Sequence, residues 1–129
     1  MAKLKASGTF RTAKGTYNTQ LSLLSFREDN MIIIYAPALD LSAYGNDLED
    51  AKKSFSIALE EYFRYTTNKN TLLAELKRLG WEIKGGKKHP KLTAPDFSAL
   101  LNDNETLEDI VQNKEFQKFH ENVKIPQFA

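Results

Sequence analysis

An α+β fold is predicted, with a mainly antiparallel sheet of three to four strands and one long helix packed on a face. Three features of the sequence point there. Tyr17, Thr19, Leu21 and Leu23 interleave with Asn18, Gln20 and Ser22, the period of a strand with one buried face. Residues 31–36, MIIIYA, form a continuous apolar run, which suits a central strand covered on both sides. From Leu48 onward, Leu48, Ala51, Phe55, Ala58, Tyr62 and Tyr65 recur every three or four residues, one face of a helix.

The elements follow in order. LKASGTFRT (4–12) and TYNTQLSLLSF (16–26) read as strands separated by the turn AKG. REDN (27–30) breaks the pattern, with Asn30 suited to a turn before MIIIYA, so the three runs form an antiparallel meander. Pro37 ends the third run because it cannot donate a ladder hydrogen bond. The stretch PALDLSAYG (37–45) reads as a loop, with Gly45 supplying a positive φ. Asp47 is placed as N-cap, and Asp50 suits the positive end of the helix dipole. The helix ends near Thr66, with Lys52, Lys53, Glu60, Glu61 and Arg64 on its polar face.

TNKN (67–70) is a loop, and TLLAELKRLG (71–80) a short helix that Gly80 terminates in the left-handed region. WEIK (81–84) alternates as a short strand. GGKKHPK (85–91) is glycine-rich and basic, the best boundary in the chain. It divides a domain at 1–85 from a C-terminal segment at 86–129. In that segment Thr106 and Asp109 suit the start of a helix running to about His120, with Leu107, Ile110 and Phe116 inward. NVKIPQFA (122–129) is extended, since Pro126 stops any helix. Phe97, Leu100, Phe119, Ile125 and Phe128 make the segment too apolar for a free tail, so it docks on the domain or on a second copy.

Composition narrows the function. The chain has 129 residues, 41% of them hydrophobic, which suits one globular domain. A formal net charge of +1 gives no overall field for nucleic acid. There is no cysteine, so disulfides, thiolate catalysis and cysteine-ligated metals are excluded. The N-terminus MAKLKASGTF lacks the apolar core of a signal peptide, and the apolar run from Met31 to Ala38 is too short to span a bilayer. A soluble cytoplasmic protein is expected, without membrane attachment.

Candidate chemistry is sparse. His89 and His120 are the only histidines, and neither has a second metal ligand at helical spacing, so no metal site is expected. Glu49–Asp50 and Glu60–Glu61 are adjacent on a helix and point to different sides. Asp40 follows an apolar strand, but a magnesium-dependent nuclease needs further acids converging with it. Ser42 has no evident partner histidine. GGKKHPK lacks the spacing of a phosphate loop. No cofactor is indicated, and the chain reads as a non-enzyme. Tyr62, Phe63 and Tyr65 cluster on the long helix, where one must face outward and could serve an interface.

The apolar strand IIIYA, followed by PALDL and YGNDLEDA, resembles the HicB-like family over about residues 5–83. Members have an apolar strand ending in Ala-aromatic, a Pro-x-Leu corner, a Gly, a capping Thr or Asp, and Leu-Glu-Glu-Ala opening the helix. Here Pro37, Leu39, Gly45, Asp47, Leu48, Glu49 and Ala51 hold those places, with Asp50 where Glu is usual. The family's frequent Pro-Gly-Cys is replaced by Asp40, Leu41 and Ser42. No helix-turn-helix or ribbon-helix-helix follows. The resemblance implies a partial ribonuclease-H-like fold without a nuclease site, homo-oligomers, and an antitoxin that binds and blocks a small dsRBD-like HicA toxin.

Two readings of function follow. In the first, the chain is a HicB-like partner-binding module of antitoxin type, oligomerising through a sheet edge or the C-terminal segment. Asp40, Leu41 and Tyr44 would be exposed for the partner. In the second, it is a nucleic-acid-binding transcriptional regulator, using the basic turn at 86–91 through Lys87, Lys88 and Lys91, with Lys69 at the helix end.

Overall fold

The structure, a computed structural model, describes residues 16–84 and 91–126. Its elements are β1 Thr16–Glu28, β2 Met31–Ala36, β3 Leu41–Gly45, α1 Leu48–Asn68, α2 Leu72–Arg78, β4 Glu82–Lys84, β5 Lys91–Thr93, α3 Phe97–Asp103, α4 Glu105–Asn113 and β6 Phe116–Pro126. The main sheet has the order β3-β2-β1-β6, with every neighbouring pair antiparallel. β4 and β5 form a separate two-stranded hairpin. The α+β expectation holds. The strand expected at 4–12 lies outside the described residues, and the meander present is β1-β2-β3.

The turn between β1 and β2 is two residues long. Asp29 and Asn30 have φ of 50° and 67°. Positive φ at both central positions matches the right-handed twist of the strands on either side. β2 runs inside the sheet and is covered on both faces. Ile32, Ile34 and Ala36 join a core with α1, while Ile33 and Tyr35 join a second cluster with α4.

α1 begins as the sequence indicates. Asp47 is extended, and its carboxylate accepts from Asp50 N at 2.8 Å. The buried face is Ala51, Lys52, Phe55, Leu59, Phe63 and Thr66, a face rotated from the one expected. Tyr65 is therefore the outward aromatic, 65% exposed, and Phe63 is fully buried. Lys52, expected in solvent, is buried with its ammonium 5.6 Å from the Phe119 ring, because β6 lies beneath that part of the helix.

α1 and α2 end alike. Asn70 and Gly80 take φ of 56° and 96°. Thr71 N donates to Thr66 O at 2.8 Å, and Trp81 N to Leu76 O at 2.9 Å. Both ends are six-to-one closures around a left-handed residue. Trp81 then packs into the core and donates from Nε1 to Ala38 O at 2.7 Å, tying the end of α2 to the chain just after β2.

The C-terminal region departs most from expectation. Where one docked helix was expected, it supplies two short helices and an edge strand of the main sheet. α4 stops at Asn113, so the helix expected to reach His120 is shorter by two turns. Lys114 is extended, with φ −125° and ψ 149°, and β6 then pairs with β1 from Phe116 to Pro126. Glu121, Val123 and Ile125 are buried between exposed His120, Asn122 and Lys124, the alternation of a strand. The α4 cap is Asn104, whose Oδ1 accepts from Leu107 N at 3.0 Å, two residues before the expected Thr106.

Candidate functional site

The corner between β2 and α1 is half turn and half strand. Leu39 N donates to Ala36 O and Asp40 N to Pro37 O, both at 3.2 Å, which closes a tight turn at 37–40. Asp40, not Gly45, takes the left-handed conformation, with φ 51°. An aspartate tolerates that region better than most residues. Residues 41–45, expected as loop, are strand β3 paired to β2 with Leu41 opposite Ala36 and Gly45 opposite Ile32.

Gly45 is needed for space. A Cβ there would press on Ala51 N and lie 2.6 Å from Asp50 C, both backbone atoms of the first turn of α1. The strand can run under the helix start only without a side chain.

The three candidate residues part company. Leu41 is half-buried and packs against the α1-side core, which corrects its expected exposure. Tyr44, three residues along the strand, points to the opposite face and is 65% exposed. Asp40 is exposed, and its Oδ1 accepts from the Tyr35 hydroxyl at 2.7 Å. That hydroxyl also accepts from Asn104 Nδ2 at 2.8 Å. Asp40 is thus joined through Tyr35 to the cap of α4. Burial pushes the Tyr35 hydroxyl up to about 12; donation from Asn104 pulls it down, and the Asp40 carboxylate adds to the rise. At neutral pH it stays protonated and donates. This is a clamp between the strand end and the C-terminal helices, a role the sequence did not reveal because Tyr35 and Asn104 are 69 residues apart.

Beside the clamp lies an open cleft of about 540 Å³, lined among others by Pro37, Asp40, Arg78, Pro95, Asp103 and Glu105. Arg78 is held by Glu75, with Nη2 2.8 Å from Oε2, so the cleft's free charge is mostly acidic.

The residues of the nucleic-acid reading are not gathered into a described surface. Lys69 caps the end of α1, with its ammonium 6.0 Å from the Tyr65 ring. Lys91 is exposed on β5, directly opposite Lys84 on β4. Lys87, Lys88 and His89 lie outside the described residues.

One polar pair joins residues 98 apart and has no local signature in the sequence. Ser22 Oγ lies 3.2 Å from His120 Nδ1, across the β1–β6 register. The pairing depends on β6, which was expected as a helix up to His120. Both residues border a small cavity of about 180 Å³ with Gln20 and Asp96. Nucleophilic serine chemistry needs the imidazole oriented by a third group. Among the described residues no carboxylate is hydrogen-bonded to His120, and the pair serves as a cross-strand contact. Nor does any group of three or more His, Cys, Asp and Glu among the described residues suit a metal ion.

No described helix is long and apolar enough to cross a membrane. Comparison with models of protein families, with curated proteins and with solved structures gives no match.

Proposed function

We propose that the chain is a non-enzymatic, HicB-like binding module of antitoxin type that captures a small basic toxin-like protein. The observation carrying this reading is Tyr44, a large side chain 65% exposed on an edge strand, at the corner whose residues resemble that family. Exposed aromatics on rigid elements are common anchors of protein interfaces. Pro37, Gly45 and Asp47 account for the turn, the close approach and the helix start. Tyr44, opposite Ile33 in the register, has no described hydrogen bond and is left mostly to solvent.

The test is a pull-down of the tagged chain from lysate of its native cell, in nuclease-treated and untreated halves. A small basic protein is expected in both halves, and the chain is expected to suppress any mRNA cleavage by that protein when mixed at equal concentration. Recovery of nucleic acid and its companions alone, lost on nuclease treatment, would replace this reading with the regulator built on the basic turn.

A further inference from the structure

The sheet has two outer edges, and their chemistry differs. β6 carries Lys118, Lys124 and Pro126, the residue types that keep an edge from recruiting another strand. β3 has the sequence LSAYG, with no charge and no proline. Its inner edge is paired to β2 over its whole length, and its outer edge has no partner strand among the described residues. On one face α1 packs against it. The strand is held extended from behind while its side stays open. An edge in that state is a template for backbone pairing.

The chain on either side of β3 is acidic, and Arg78, which lines the cleft beside Asp40, is held by Glu75. Between Arg27 and Lys52 the chain contains Glu28, Asp29, Asp40, Asp47, Glu49 and Asp50, and no lysine or arginine. Asp40 is exposed at one end of β3, and Asp47 and Glu49 are exposed beyond the other. Because Gly45 lies opposite Ile32, the Asp29–Asn30 turn stands at that second end too.

We infer that the outer edge of β3 accepts an extended, basic-flanked segment of a partner protein as a fifth strand. Its backbone pairs with Leu41–Gly45, and its lysines or arginines lie beside Asp40 at one end and Asp47 and Glu49 at the other. The inference rests on the partner-binding reading above and names the element and charge that would carry it. A second copy of this chain fits the edge less well. A two-fold axis through Ala43 would set Asp40 of one chain opposite Asn46 of the other and one place from its Asp47, which crowds acids at both ends of the pair.

The test uses the full chain and two labelled peptides, Lys-Arg-Thr-Val-Thr-Val-Thr-Arg-Lys and a twin with glutamates in place of the basic residues. Binding is read by fluorescence anisotropy at low and high salt, and its position by amide hydrogen exchange in NMR. The basic peptide is expected to bind at least about tenfold more tightly than its twin, with salt weakening it. It is expected to slow exchange of amides within 41–45. Ser42→Lys and Tyr44→Lys place guarding lysines on exposed positions and are expected to abolish binding with the melting temperature unchanged. Glu49→Lys, also exposed, is expected to weaken it.

Equal affinity for both peptides, or binding untouched by both lysine substitutions, would overturn the inference. A wild-type dimer in sedimentation that either lysine dissolves would overturn it too, giving the edge to a second copy. If a captured basic toxin-like protein still binds Ser42→Lys but is lost with Tyr44→Ala, which removes the anchor and leaves the strand edge open, the functional reading stands and the strand assignment falls. Peptide binding at β3, with no such protein captured by the chain, would keep the strand assignment and remove the antitoxin reading.

Discussion

On its α1 side the sheet buries Leu21, Leu23, Ile34, Val123 and Ile125 against Phe55, Leu59 and Phe63, all at most 1% exposed. On the other side the buried core among the described residues is Leu24, Phe26, Tyr35, Leu107 and Ile110. There a polar chain from Asp40 through Tyr35 to Asn104 adds what area alone does not supply. The first face is an apolar contact broad enough to tolerate imperfect geometry. The second is small and depends on hydrogen bonds of fixed direction, whose loss strands the remaining partners. The α1 face therefore sets global stability, while the α3–α4 face sets how firmly the C-terminal region is seated.

Phe55→Ala should produce the largest effect, a loss of about 3–5 kcal/mol in denaturant unfolding, since it empties a fully buried site. Tyr35→Phe keeps the ring and removes the clamp hydroxyl. About 1–3 kcal/mol should be lost, with faster amide exchange concentrated in α3 and α4. Exchange rising equally across α1 would break the contrast between the faces.

Alkaline pH sharpens the contrast. Burial pushes both Tyr35 and Tyr62 hydroxyls up to about 12 from an ordinary 10.0. A hydroxyl whose pKa is higher when folded adds stability in full below the unfolded value and loses it as pH climbs from about 10 through about 12. Thermal melts should fall over that window, and Tyr35→Phe should remove part of the fall, leaving the part due to Tyr62. The smallest effect is expected at Tyr62→Phe near neutral pH. Its hydroxyl oxygen is buried with no hydrogen-bond partner among the described residues, so removing it should change stability by less than about 1 kcal/mol or raise it.

The same division governs what the sequence made legible. α1, α2, the hairpin turn at Asp29–Asn30 and the cap at Asp47 rest on local chemistry, and all were readable. β3 was missed because five residues after a proline turn give little period, and because Gly45 looked like a turn residue when its task is to admit the helix backbone. β6 was hidden by Glu121, a charged residue on the buried side of an otherwise alternating strand, and by Phe116, whose spacing from Leu107 and Ile110 suited a helix. At the site, the exposure of Tyr44 and the partial burial of Leu41 follow from strand alternation, a pattern that five residues after a proline turn are too few to display. The Tyr35–Asn104 and Ser22–His120 contacts join distant parts of the chain, and no local pattern reports them.

β1 is hydrogen-bonded on one side to β2, which follows it at once, and on the other to β6. Ser22 and His120, facing each other across that second seam, are 98 residues apart. During synthesis at about 5–20 residues per second, the seam stays open for roughly 5 to 20 s after β1 has emerged. For that interval the chain carries a long apolar strand with a bare edge, which any extended segment in the cell can reach. β6, made about a hundred residues after its partner, is thus the strand that ends the exposure of β1 to wrong pairing.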